Sequence, residues 1–278
     1  MPDEEGIREM HRKKCAVVGV MALLVSGVAN AGPTPAGGYD DELRDEWRDD
    51  RYDEDARLQT TVSLGVDYSQ GDYGDPSISR SGVAQAGLKL EYEPVTVRVY
   101  VPLLVSDGVL LDDAVGGTNG TEVGLGDIIA SAVYTWYPSS RTLPTIDVIA
   151  KVKLPTASSS KGLGTGETDV TLGAEVSQTF GAVTLFAGGA YRFKGGGAFR
   201  DVLLATGGAS VRFSQSLSAG VAYDFREAST GAVPDSHELS PFLSLRLSDH
   251  VKLTPYGVIG LSNGAPDWGV GSSIAYTF

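Results

Sequence analysis

The sequence predicts an all-β protein: a transmembrane, antiparallel, up-and-down β-barrel of about twelve strands, with both termini on the periplasmic side. Three observations predict it. Apolar and polar residues alternate with a period of two, as where Val148, Ala150, Val152 and Leu154 are interleaved with Asp147, Lys151 and Lys153. Long polar connections alternate with short turns, which is the habit of outer-membrane barrels. Charges keep to the face opposite the apolar series, and the aromatics of the apolar face sit at strand ends.

The chain opens with a basic stretch, His11 to Lys14, followed by an apolar run from Cys15 to Val28 and by Ala29-Asn30-Ala31. That order of charge, apolar core and A-x-A site reads as a signal peptide over residues 1–31. Cys15 is the one cysteine and lies at the start of the apolar run, so the mature chain has no thiol for a disulfide or a thiolate metal site. No later segment is apolar for long enough to form a spanning helix. Residues 32–57 form an acidic N-terminal segment; Asp40 to Arg57 alone holds ten acids and four arginines, a net −6 by subtraction, with Leu43 and Trp47 at helical spacing. It reads as a solvated tail, or as a short helix docking into the barrel mouth or onto a periplasmic partner. The net charge of the whole chain, −13, argues against a nucleic-acid partner.

Residues 58–278 hold the barrel. Thr61 to Tyr68 is the first strand, followed by Ala84 to Tyr92 and Val95 to Val101 across a turn at Glu93-Pro94. A long polar loop over 102–127 leads to Ile128–Tyr137, and 138–144 turns into the strand at Asp147–Leu154. A Gly/Ser-rich loop precedes Val170–Phe180, and Phe180-Gly181 turns into Val183–Phe193. Val202–Phe213 with Leu217–Arg226, Leu239–Leu247 with Val251–Leu261, and Trp268–Phe278 complete the count.

Alternation assigns faces. The outward face carries the apolar residues, with Tyr68, Tyr191, Phe193, Tyr223, Phe225 and Trp268 at one edge and Tyr92, Tyr134, Trp136, Phe213, Tyr276 and Phe278 at the other. Two such girdles suit membrane lipid at both interfaces, whereas a soluble sandwich gathers its aromatics in mid-strand. The inward face carries the lumen-lining candidates Lys89, Arg98, Lys151, Lys153, Glu175, Arg192, Arg212, Arg226 and Arg246, together with Lys194 and Lys252. Against these cations stand Asp67, Glu91, Asp147, Glu175 and Asp224, so the interior is expected to be net positive. Twelve strands at 4.8 Å spacing and 40° tilt give a backbone diameter of roughly 24 Å.

Ile274-Ala275-Tyr276-Thr277-Phe278 resembles the terminal strand of Gram-negative outer-membrane proteins. The resemblance implies that Tyr276 and Phe278 are read by the barrel-assembly machinery. Gly124-Leu125-Gly126-Asp127, Lys153-Leu154-Pro155-Thr156, the glycines Gly162, Gly164 and Gly166, and Asp169 resemble the outer-membrane transporter family labelled for the meta-pathway of phenol degradation. The departure is Ala157-Ser158-Ser159, where that family has a small residue followed by Gly or Asp. The resemblance implies a transporter and supplies no catalytic residues.

Gly162 to Asp169 fails as a phosphate loop, lacking Gly-Lys-Ser/Thr and carrying Glu167 where a dinucleotide loop needs its third glycine. It reads instead as a tight rim loop whose glycines supply positive φ, and Asp127 as a capping group for loop amides. His237 and His250 fall at opposite ends of one strand with no nucleophile motif beside them. Asp112, Asp113, Glu122 and Asp127 lack calcium-ligand spacing. No cofactor or metal is expected. The function expected is passive passage of small solutes, anionic or aromatic compounds among them. A closed structural or adhesive barrel is the alternative, and a barrel enzyme using His237 a third.

Overall fold

The computed structural model describes residues 58–73, 78–107, 121–138, 140, 143–197, 199–230 and 234–278. The expected signal peptide, the acidic segment over 40–57, and Asp112 and Asp113 lie outside the described residues.

Thirteen strand segments occur in chain order: β1 (Gln59–Gly71), β2 (Ser79–Tyr92), β3 (Val95–Asp107), β4 (Thr121–Leu125), β5 (Ile128–Trp136), β6 (Thr145–Leu154), β7 (Asp169–Phe180), β8 (Val183–Phe193), β9 (Val202–Ser214), β10 (Leu217–Arg226), β11 (Ser236–Arg246), β12 (Val251–Gly260) and β13 (Trp268–Thr277). Each pairs antiparallel with its neighbours, and β1 pairs with β13 over Thr61–Thr277 to Gln70–Trp268, closing the cylinder. β4 and β5 share one place in the wall, pairing with the upper and lower parts of β3, so the barrel has twelve strand positions. The rim where β1 begins and β13 ends is called proximal below, and the opposite rim distal.

The wall extends further than expected beyond Val101. Pro102 to Asp107 continue β3 and Thr121–Leu125 pair with them, so the expected loop over 102–127 is strand at both ends. Pro102 falls opposite the break between β4 and β5, where an amide is not needed by the ladder, and its carbonyl accepts the Gly126 amide at 2.8 Å. The alternation of long and short connections also has an exception. The proximal connection over 137–144 is as long as the distal one over 194–201.

Burial follows the expected parity. Val62, Leu64 and Val66 are exposed while Thr61, Gly65 and Ser69 are buried. Of the expected girdle residues, Tyr92, Tyr134, Trp136, Phe213, Tyr276 and Phe278 are exposed near the proximal rim, where Phe180 joins them; Tyr191, Phe193, Tyr223 and Trp268 are exposed near the distal one. The inner wall has its own packing rule. Tyr100, Phe186, Phe242 and Tyr256 lie directly across from Gly87, Gly208, Gly220 and Gly271 in the register. A Cβ on any of these four glycines would run into the facing ring. The rings therefore lie flat over neighbouring strands, burying apolar area without blocking the axis.

Candidate functional site: a pinned mouth and a charged inner wall

The connection from β6 to β7, over 155–168, folds inward across the distal mouth. Leu163 is 1% exposed and clusters with Ala157 of the same loop and with Val83 and Leu104, inward residues of β2 and β3. It fits where Gly124 has no side chain: a Cβ there would come within 2.7 Å of Leu163. Gly164 approaches as closely, its Cβ position being 2.6 Å from that of Ala157. Gly162 and Gly166 do have positive φ, at 67° and 72°, as expected of loop glycines. Gly124, Gly126 and Gly164 have a different reason, namely close approach. A 3-10 turn, Ser159–Lys161, ends at Gly162, whose amide bonds the Ser159 carbonyl.

A buried ammonium pins the loop. Lys153, the penultimate residue of β6, donates to Asp127 Oδ2 at 2.6 Å, to the Glu167 carbonyl at 2.8 Å and to Thr165 Oγ1 at 3.1 Å, with Asp169 Oδ2 at 3.9 Å. Asp127 Oδ1 accepts the Ala157 amide at 3.0 Å, as a capping carboxylate does, but for a loop thirty residues away. Thr156 Oγ1 accepts the Ile128 amide and donates to the Gly126 carbonyl, bridging the break between β4 and β5. Asp169 in turn accepts from Lys194 at 2.8 Å and from the Gly195 amide at 3.1 Å. Burial lowers the Lys194 pKa, and Asp169 opposes that shift. The short motifs thus converge on one network from three separate stretches of chain.

The rest of the inner wall is organised by sign. Directly opposed inward residues form a continuous row, Lys89, Arg98, Ser131, Lys151, Thr171 and Arg192, crossing β2, β3 and β5 to β8. Because strands tilt in a barrel, this row climbs from near the proximal end of β2 to the distal end of β8. A second row runs Thr135, Asp147, Glu175, Gly188, Thr206, Asp224 and Glu238. On β6 the two rows are four residues apart, about 13 Å along the strand. Lys89 pairs with Glu91 at 2.7 Å, and Asp224 accepts from Thr206 at 2.9 Å.

Every lumen-lining candidate falls on the inward parity. Arg98, Lys151, Lys153, Glu175 and Arg192 are buried. Lys89, Arg212, Arg226 and Arg246 are partly so. Arg212 and Arg246 lie at the proximal end and Arg226 at the distal end. The sequence reading did not place Asp127, Asp169 and Glu238 on the inward face; they lie at strand edges, where face assignment from alternation fails. Glu122 of β4 shares the inward parity of Gly124, and together these acids lower the inward cation excess among the described residues. Tyr73, at positive φ in the β1–β2 connection, was missed as well. Burial pushes its hydroxyl pKa well up, and the nearby Glu238 carboxylate adds to the rise.

Both histidines are engaged on the outward side. His237 Nδ1 is 2.6 Å from Tyr223 Oη, and its ring packs on Phe225 near the distal rim. His250 Nδ1 is 2.8 Å from the Thr277 carbonyl, its ring stacked on Tyr276 at the proximal rim. Among the described residues no group of acids, histidines or cysteines could hold a metal ion.

The chain belongs to the family described as "Putative MetA-pathway of phenol degradation", which matches residues 51–278. Among solved structures it is similar to an outer-membrane channel from Pseudomonas putida F1, at 13% identity and a TM-score of 0.64, covering 79% of this chain and 95% of that one. It is also similar to the KdgM porin, at 9% identity and 0.53, covering 78% and 99%. The translocator domain of the autotransporter NalP from Neisseria meningitidis follows at 10% and 0.52, covering 81% and 90%. These likenesses establish the fold. No curated protein matches the chain.

Proposed function

We propose that this family member is an outer-membrane channel passing small solutes down their gradients, with a preference for organic anions, aromatic acids among them. The observation that carries the reading is the row Lys89, Arg98, Lys151 and Arg192, a climbing basic track through most of the barrel's height. Low-dielectric walls focus such a field and raise the local anion concentration. The pinned loop at the distal mouth narrows the entrance and so limits solute size. Tyr276 and Phe278, with ring centroids 5.0 Å apart and Phe278 bonded through its amide to the Thr60 carbonyl, fit a terminal strand read by the assembly machinery.

Planar-bilayer recording tests the reading. The wild-type barrel should show discrete steps with a reversal potential on the anion side of a salt gradient. Arg98→Glu with Lys151→Glu should move it to the cation side, and an unchanged reversal potential would sink the proposed track. The deep burial of the inner wall favours a second reading, a closed barrel with a structural role, which requires silence from the full chain and from every truncation of it.

A further inference from the structure

A stripe of apolar residues runs between the basic row and the acid row of the inner wall. Val133, Ile149, Gly173, Ala190 and Leu204 are directly opposed from β5 to β9. Val133, Ile149, Ala190 and Leu204 form one buried cluster with Val202. From β5 to β8 the basic row lies two residues to the distal side of the stripe and the acid row two residues to its proximal side, in the order Lys151, Ile149, Asp147 on β6. Val133 and Ile149 are each 2% exposed and Leu204 is 0% exposed, so the stripe is a dry strip between two charged margins.

We infer that this stripe is a binding track for amphoteric solutes, small molecules with a carboxylate at one end, an ammonium at the other and an apolar ring between. The inference names a solute class for the proposed channel. It rests on that reading for passage alone, because binding stands on the wall itself.

The order of signs carries it. Within the two rows every cation lies distal to the stripe and every acid proximal to it. Lys89 and Glu91 on β2, 2.7 Å apart, keep the same order. Arg98, Lys151, Arg192, Asp147, Glu175 and Asp224 are all engaged with other groups. A solute that settles on the stripe therefore has to replace interactions that already exist. A simple anion draws a cation to itself and leaves a buried carboxylate behind; a simple cation does the reverse, and either way a charge stays uncompensated. A two-ended solute brings a substitute to each margin, while its ring covers the apolar strip. It also lies in one sense, acid end distal, because each margin keeps its sign along the stripe.

Two buried hydroxyls add a second observation. Thr135 lies opposite Asp147 in the acid row, and Thr96 lies opposite Val133 at the start of the stripe. They are 3% and 0% exposed, and neither hydroxyl oxygen has a hydrogen-bond partner among the described residues. Buried hydroxyls are normally satisfied, and an ammonium has three donors, enough for a carboxylate and a hydroxyl together. The margins are about 13 Å apart at the backbone, and side chains from both reach over part of that, which suits a solute one ring long.

Calorimetric titration of the full chain in detergent micelles tests the inference with three probes. The first, para-aminomethylbenzoate, carries both ends; para-methylbenzoate lacks the ammonium, and benzylamine lacks the carboxylate. The first should bind saturably and at least about tenfold tighter than either of the others. Equal affinities, or no saturable binding of the first, would overturn the inference, and this comparison uses the unaltered protein. Two variants, judged on barrels that keep the folded gel mobility, should then split the preference. Lys151→Met should narrow it over benzylamine several-fold and keep it over para-methylbenzoate, and Glu175→Gln should do the opposite. Both variants losing both preferences alike would also overturn the inference. Planar-bilayer conductance separates it from the channel reading. Discrimination among the probes without conductance keeps the track and overturns the channel, whereas conductance without discrimination does the reverse. Entry of the first probe into proteoliposomes ahead of the other two supports both.

Discussion

Replacing Lys153 by methionine keeps most of the side chain's apolar stem and removes the buried ammonium that holds the inward loop to the wall. Among the described residues that leaves only the exposed ammonium of Lys161, which reaches the Val123 carbonyl at 3.4 Å. The side chains of Lys153, Asp127 and Asp169 are 6%, 1% and 2% exposed, so the lost charge leaves carboxylates with little water to turn to. Breaking a buried ion pair from one side costs about 3–5 kcal/mol. Asp127 keeps the Ala157 amide and Asp169 keeps Lys194, which puts the effect at the low end, about 3 kcal/mol. The β6–β7 ladder is untouched, so the loss falls on loop docking rather than on the barrel. At 1.4 kcal/mol per factor of ten, loop opening should rise by about 100-fold. Hydrogen exchange on peptides covering 155–168, with the protein folded in detergent micelles, measures this directly. Protection should fall by about that factor there and stay unchanged in β9 and β10. Adding Asp127→Asn should restore part of it, because the stranded charge is the costly element. Wild-type protection in the loop, or a loss spread evenly round the barrel, would refute the argument.

The two faces of one neighbourhood should respond in opposite ways to chemistry. Val221 is outward at the middle of β10, and Val221→Arg should destabilise the barrel by about 2–4 kcal/mol in lipid vesicles, read from urea unfolding midpoints. In detergent that cost should shrink. Phe242, inward and 3% exposed, belongs to the cluster with Phe186, Ala222, Tyr256 and Val258, and Phe242→Ala should cost about 3–5 kcal/mol in lipid and detergent alike. Equal responses of the two variants to the change of medium would show that the faces are misassigned.

Alternation made the wall legible from sequence because a strand next to lipid cannot hide its parity. A charge such as Lys151 must face away from the bilayer, and Val148 and Val152 must face it. What alternation could not supply was contact between strands. Asp127 and Lys153 are 26 residues apart, and only the β5–β6 register brings their rows together. The glycines were read through φ, which holds for Gly162 and Gly166. Gly124 and Gly164 are glycine because Leu163 and Ala157 need the room, and nothing local announces that. Pro102 hid the upper part of β3 and with it β4, since proline normally ends a strand reading. Glu238 was lost at the uncertain start of β11.

The four rings laid over glycines on the inner wall make the calibre of the barrel depend on residues that have no side chains. At Gly87, Gly208, Gly220 or Gly271 an alanine adds little bulk itself, yet it would lift the facing ring off the wall and swing it toward the axis. One methyl group in the lining is thereby amplified into a whole aromatic obstruction. At Gly208 and Gly220 the added carbon would also meet the carbonyls of Val221 and Ala209, so the strand backbone has to give along with the ring, whereas at Gly87 and Gly271 the atoms it would meet belong to side chains.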